Sequence, residues 1–276
     1  MNVLVFGQGK SGTTVVAKTI QHSLPGAGFL MEPKSEEEIA RKRARPLVTK
    51  ILYGQWKEDL PGLTRMLRNE GATRFDRIVK MLRDPRDQAI SSFLYNFYNI
   101  TRSGRASEEQ LQEMIGLVRA KEENPQALSF GRLCGEMNCV MRWKGYSIAW
   151  LLTESPSAAN RAYWEFLASL GRDGFLLRYE DFMRGELRAL ESYLGLELSR
   201  RREVDEYERT KRSAAAGNWR EFFTPEDVEV LRPLIGAALG EMGYEDWELR
   251  PVSHLNPAHF SEYLLRLVRE ARCSEQ

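Results

Sequence analysis

This chain lacks an excess of charge of either sign. Forty basic residues stand against 39 acidic ones, a formal net charge of +1 over 276 residues. That balance excludes a global field able to draw in nucleic acid or an anionic membrane surface, so any preference for anions has to be local. No apolar run approaches the roughly 20 residues of a membrane-spanning helix. The chain opens on a strand-like segment with no basic stretch and apolar core before it, which reads as a protein without signal peptide or membrane anchor. Cysteine is scarce. Cys134, Cys139 and Cys273 cannot all pair and show no metal-ligand spacing. A reducing cytoplasm is the expected setting. Cys134 and Cys139 lie in an apolar helical stretch and are expected to be buried, neutral thiols. Only three histidines, His22, His254 and His259, are available for acid–base work.

The informative stretch is residues 7 to 14, Gly-Gln-Gly-Lys-Ser-Gly-Thr-Thr. It sits between an apolar run, Val3-Leu-Val-Phe6, and a helical pattern from Val15 to Ile20. A strand, a glycine-rich turn and a helix start in that order make a cradle for phosphate. The first helix amides lack partners within the helix and point at whatever sits there. Gly9 and Gly12 let the backbone approach an anion, Lys10 adds a charge, and Ser11, Thr13 and Thr14 add hydroxyl donors. The nucleotide-triphosphatase pattern G-x-x-x-x-G-K-[ST] is not met, because Thr13 rather than lysine follows Gly12.

A second cluster follows the strand-like run Ile78-Val-Lys-Met-Leu82. It reads Arg83-Asp-Pro-Arg-Asp87 and continues to Ser91. Pro85 suits the first turn of a helix. Arg83 offers a planar fork and Ser91 a hydroxyl to an anion. Asp84 and Asp87 read as a solvated charge cluster that caps the helix. Further on stand Phe175-Leu-Leu-Arg-Tyr-Glu-Asp-Phe182 and the segment Lys211 to Thr224, which contains Gly217-Asn-Trp219.

The string Lys-Ser-Gly-Thr-Thr resembles the 5′-phosphosulfate loop of sulfotransferases, enzymes that use 3′-phosphoadenosine 5′-phosphosulfate (PAPS) as sulfuryl donor. That family pairs the loop with a strand-end arginine and a serine eight residues later, which hold the 3′-phosphate. Arg83 and Ser91 have that spacing. The Tyr-Glu-Asp turn resembles the family's late strand and implies that Tyr179 lies near the nucleotide. Residues 211–219 resemble the loop that closes over it. Arg212 carries over, Lys211 is a substitute for the family's lysine, and Ser213 and Ala214 depart from the pattern. Trp219, just before a capped helix, reads as core packing. The resemblance implies a P-loop-like α/β fold, PAPS as co-substrate with 3′-phosphoadenosine 5′-phosphate (PAP) as product, and no metal. Lys10 would sit near the bridging oxygen.

The base is less plain. Cytosolic members carry a histidine after the third strand, in a Lys-Thr-His context; Leu47-Val-Thr-Lys-Ile-Leu-Tyr53 has none. A branch that includes glycan and tyrosyl-protein sulfotransferases can use a glutamate just after the second strand. Phe29-Leu-Met-Glu-Pro33 places Glu32 there, 22 residues past Lys10. The bland alternative is a Glu32 that caps a helix or pairs with Lys34 at the surface. Lys50 and the histidines stay open as assistants or substitutes.

Strands are expected at 2–7, 28–32, 47–52, 76–82 and 174–179, with helices between them. That pattern predicts an α/β fold, a mainly parallel central sheet with flanking helices and ligands beyond the strands' carboxyl ends. One sulfotransferase-like domain over 1–276 is expected, although two domains fit the length as well. Its region 86–171 would be a mostly helical elaboration over the site, and 244–276 a C-terminal extension. Tyr95, Phe97, Tyr98, Trp143, Tyr146 and Trp150 read as helix packing. Residues 101–109 read as a mobile connection, and the basic run 41–45 as a solvated helix face. Thr224-Pro-Glu-Asp227 signals a capped helix. Asn256-Pro257 signals the last one, whose apolar face, Phe260 to Val268, must be covered by this chain or by a second copy in a homodimer.

The function expected is sulfuryl transfer to a hydroxyl or amine of a small-molecule, glycan or peptide acceptor, with no nucleic acid or membrane as partner. Two alternatives stand. A P-loop kinase using ATP and Mg²⁺ would need an acidic metal ligand, for which only Asp84 is suitably placed. A non-catalytic nucleotide-binding protein would not need Lys10 or Glu32.

Overall fold

Five parallel strands in the order β2-β3-β1-β4-β5 form the sheet of the computed structural model, which describes residues 1–42, 44–154, 161–201, 203–213 and 215–273. The chain divides into two units, 1–83 with 159–211 and 84–158 with 212–276. The first contains β1 (Asn2–Gly7), α1 (Thr13–Ser23), β2 (Gly28–Met31), α2 (Glu36–Arg41), β3 (Leu47–Leu52), α3 (Leu60–Leu67) and β4 (Arg77–Leu82). The second takes α4 (Pro85–Arg102), α5 (Glu108–Glu123), α6 (Phe130–Met141) and α7 (Ile148–Thr153). The chain returns to the first for α8 (Arg161–Ser169), β5 (Phe175–Arg178), α9 (Tyr179–Arg184) and α10 (Arg188–Leu194). It ends in the second with α11 (Trp219–Phe222), α12 (Pro225–Glu241) and α13 (Ser261–Cys273). The expected strands agree with these to within a residue at each end. Arg43, in the basic run, and Ala214 lie outside the described residues.

Strand alternation sorts the first unit's core into two faces. Val3 and Val5 of β1, Val48 of β3, Val79 and Met81 of β4 and Leu177 of β5 pack with Val16, Ala17 and Ile20 of α1. On the other face Phe6 meets the rings of Tyr53, Tyr163 and Phe166 at 5.9–6.5 Å between centroids. The Tyr163 hydroxyl donates to the Met81 carbonyl at 2.6 Å, which fastens α8 to β4. Burial on both faces explains why β1, β3 and β4 read as near-continuous apolar runs.

Among the described residues the second unit has helices and no strand. Its core joins α4, α5, α6 and α7 to α11, α12 and α13, and holds the aromatic residues expected to pack there. Trp219 is among them. The apolar face of α13, including Tyr263, Leu264 and Leu267, is buried in this same unit. Residues 101–109 shrink to a short turn, since α5 starts at Glu108 with a capping box between Ser107 and Gln110. Thr224 and Asp227 form the capping box of α12. Two expectations change. Pro257 begins only a single 3₁₀ turn, and α13 starts at Ser261, whose N–H and hydroxyl both donate to the Glu122 carboxylate. Cys139 is exposed, because it occupies the outward side of α6; Cys134 is buried, and burial pushes its thiol well up. Among the described residues no helix is long and apolar enough to cross a membrane.

Two charged groups within this helical core, Asp227 and Lys121, are tied down. The Asp227 carboxylate accepts from the N–H groups of Phe130, Gly131 and Thr224 at 2.8–2.9 Å. The Lys121 ammonium donates to the Pro125 carbonyl at 2.5 Å and lies 5.0 Å from the Phe222 ring centre. Burial pulls the Lys121 pKa down from 10.5 to about 8, with Asp227 opposing the fall. The folded state therefore binds fewer protons than the unfolded one between those two values. Stability gains from this group should rise across that pH window, and below it the cost of the buried charge is constant. At about 1.4 kcal/mol per unit the full effect is about 3 kcal/mol. Lys121→Met should stabilise the protein most at pH 7, and the gain should shrink by pH 10. Urea unfolding of both proteins at the two pH values measures it.

Candidate functional site

Parallel strands place all their carboxyl ends on one edge of the sheet, where ligands of such folds bind. In the first unit every strand delivers a polar residue to that edge. Lys10 follows β1, Glu32 follows β2, Lys50 lies in β3 with Gln55 just beyond, Arg83 follows β4 and Tyr179 follows β5.

The turn after β1 is closed by its own residues. The Ser11 hydroxyl donates to the Gln8 carbonyl at 2.7 Å, and the Ser11 N–H donates to the same oxygen at 3.4 Å. Gly12 is the N-cap of α1 with φ 87°, and no side chain caps the helix. No acidic residue stands in its first turn. Ser11, Thr13 and Thr14 are buried around these amides. A helix start without a cap or an acid is an electropositive pocket suited to an anion.

Gly12 has to be glycine for two reasons. Its φ lies in the left-handed region. A Cβ there would also lie 2.2 Å from Cδ2 of Tyr179. The same ring carries the Arg83 guanidinium 4.5 Å above its centre. Arg83 Nη1 donates to the Lys10 carbonyl at 2.8 Å, while its buried Nε has no hydrogen-bond partner among the described residues. The β1 turn, the end of β4 and the start of α9 thus lock onto one another, with guanidinium hydrogens left over for a ligand.

Lys10 and Glu32 share a backbone oddity. Both hold positive φ, 61° and 52°, although neither is glycine. Such residues cost of order 1–3 kcal/mol each and cluster at functional sites. Glu32 keeps its conformation by donating its N–H to the Lys50 carbonyl at 2.8 Å, one residue past the end of β2. The Lys50 ammonium binds Oε1 of its carboxylate, and the Gln55 amide donates to Oε2 at 2.7 Å. Glu32 neither caps a helix nor pairs with Lys34. The Lys50 ammonium is almost wholly buried, and burial lowers its pKa; Glu32 works against that fall and Arg209 adds to it. Gln55 is the participant that sequence reasoning missed. It is an exposed residue in an unremarkable segment, and no spacing rule links it to a residue 23 positions earlier.

The remaining candidates are described within their own units. His22 is exposed near the far end of α1, about 14 Å from the turn by helix rise. His254 Nδ1 contacts the Glu123 carbonyl at 3.0 Å, and His259 has its pKa lowered by burial and then by Arg212. Lys211 ends a 3₁₀ turn in the first unit, its N–H donating to the Glu208 carbonyl. Ser91 and Arg212 are buried in the second unit, Arg212 with its guanidinium 5.6 Å from the Phe260 ring centre.

The acidic cluster after β4 is not solvated. Asp84 caps α4 as expected, but it is buried, and Arg86 grips both its oxygens at 2.8–2.9 Å. Burial raises the Asp84 pKa and Arg86 opposes the rise. Asp87, fully buried, accepts from the N–H groups of Gly217 and Trp219 at 2.5 and 2.9 Å. The carboxylate that a kinase would need for its metal is therefore committed to a guanidinium.

No family model matches this chain, and no curated protein matches it. Among solved structures, it is similar to mouse sulfotransferase SULT7A1 complexed with PAP. The match covers 89% of each chain at 14% identity, with a TM-score of 0.46.

The turn geometry makes its own prediction. Gly12→Ala should destabilise the protein by roughly 2–5 kcal/mol, from a left-handed alanine and an overpacked Tyr179. The cost should fall when Tyr179→Ala is added. A double-mutant cycle by urea unfolding measures the coupling, and purely additive effects would show that the ring is not what excludes a side chain.

Proposed function

We propose that the protein is a PAPS-dependent sulfotransferase. The observation that carries this reading is the Lys-Ser-Gly-Thr-Thr turn. It opens an uncapped, acid-free helix and is tied through the Lys10 carbonyl to a buried arginine with a spare donor. The order of residues, lysine before the last glycine, argues against a nucleoside-triphosphate loop.

The residues fit such a donor. The α1 amides with Ser11, Thr13 and Thr14 suit its 5′ end, and Arg83 suits a further phosphate. When bound, PAPS supplies the sulfuryl group and a phosphate on which negative charge grows. Lys10 stabilises that charge together with the amides, which are already oriented and need no reorganisation. The edge of the sheet orients the acceptor's nucleophile in line. Glu32 takes the acceptor's proton at a carboxylate oxygen. Lys50 and Gln55 hold that carboxylate, and Lys50 balances its charge before transfer. The acceptor is a hydroxyl or amine compound.

PAP should raise the melting temperature in proportion to the logarithm of its concentration above the dissociation constant. Arg83→Ala should weaken PAP binding by roughly ten- to a hundred-fold, the worth of a charge-assisted contact. It should leave binding of AMP, which has no 3′-phosphate, nearly unchanged. A melt stabilised by ATP–Mg²⁺ and not by PAP would overturn the reading.

Glu32→Gln should lower the single-turnover rate about 10²–10⁴-fold with PAP affinity nearly intact, the usual contribution of a general base. A changed acceptor Michaelis constant with a small rate effect would make Glu32 a positioning residue and reopen the choice of base to Lys50 and the histidines.

A further inference from the structure

Gln8 stands inside the turn, and its side chain has no structural task there. The residue is fully buried, yet neither Nε2 nor Oε1 has a hydrogen-bond partner among the described residues. Closing the turn is the work of its backbone carbonyl, which accepts both bonds from Ser11. An apolar side chain of the same size would fill the space without leaving a carboxamide unsatisfied. Buried polar groups without partners call for an explanation, and a ligand that completes them is one.

A second observation points the same way. The turn leads into the uncapped start of an eleven-residue helix with no acid in its first turn. Gln8 is two residues before Lys10 and four before the N-cap Gly12. A carboxamide there adds what a lysine cannot, an uncharged donor and an acceptor in one group. The donor suits an anionic oxygen. The acceptor suits a hydroxyl or amine that still carries its proton.

We infer that Gln8 is a ligand-contacting residue of this turn, its Nε2 donating to an oxygen of the anionic group that the turn holds. That the group is the 5′ phosphate or phosphosulfate of a nucleotide rests on the sulfotransferase reading; the contact itself does not. Gln8 thereby helps to fix the orientation of that group, and Oε1 is left to accept a hydrogen bond from the incoming nucleophile, whose proton goes to Glu32.

The test compares wild type, Gln8→Met and Gln8→Glu by thermal melts and calorimetry. The probes are PAP, 3′-AMP, which lacks the 5′-phosphate, and inorganic pyrophosphate. Gln8→Met should melt at or above the wild-type temperature without ligand. It should bind PAP about ten-fold more weakly, the low end for a bond to a charged group, and bind 3′-AMP as wild type does. Gln8→Glu should lose more PAP affinity than Gln8→Met, because like charges then face each other. Unchanged PAP binding in a destabilised Gln8→Met would overturn the inference and make the amide a partner of buried water. Equal losses for PAP and 3′-AMP would overturn it as general damage to the turn. If wild type binds pyrophosphate and not PAP, the nucleotide reading fails while the contact is still judged by the pyrophosphate loss. Binding of neither probe by wild type overturns both.

Discussion

The Tyr179 ring sets the shape of the site. It bears on Gly12 so closely that no side chain fits there, and it supports the Arg83 guanidinium. Arg83 in turn holds the Lys10 carbonyl. Three strand ends that are far apart in the chain are thus registered by one aromatic side chain. The contact gives the turn its rigidity without using up its amides. Had a serine or aspartate capped α1, the helix would gain only a few tenths of a kcal/mol over glycine, and the helix amides would be taken up by its own chain. The ring and the left-handed glycine hold the turn open instead.

The parallel sheet explains why such different residues share one edge. Parallel strands need crossovers, so every strand leaves the sheet on the same side and every turn there is free to carry chemistry. The two non-glycine residues of this edge with left-handed backbone are Lys10 and Glu32. Each is retained by a specific hydrogen bond, from Arg83 to the Lys10 carbonyl and from the Glu32 N–H to β3. Strain that is paired in this way is stable, and it points the side chains where an ordinary strand continuation would not.

The sheet was legible because its central strands are buried on both faces and flanked by turn residues, a pattern visible in short apolar windows such as Val3 to Phe6. The phosphate-type turn and Arg83 were legible for the same reason, since each is local. What escaped are pairings between distant segments. The Lys50–Glu32 pair joins residues 18 apart, and the Asp87 contact with Gly217 joins residues 130 apart. Nothing in composition distinguishes a surface aspartate from one that takes two backbone N–H groups. Cys139 failed on a finer point. An apolar helix still has an outward side, and position 139 falls on it. The start of α13 failed because its capping carboxylate, Glu122, belongs to another helix altogether.

A net charge of +1 leaves no long-range attraction for a polyanionic ligand, so selectivity has to be built at close quarters. On the reading proposed above, the first unit would do this with mostly uncharged means: helix amides, hydroxyls and the Gln8 carboxamide, supplemented by Lys10 and Arg83. Such donors discriminate by geometry and are little screened by salt, unlike exposed cations. The buried Lys50 ammonium is balanced by Glu32 and so adds little net field.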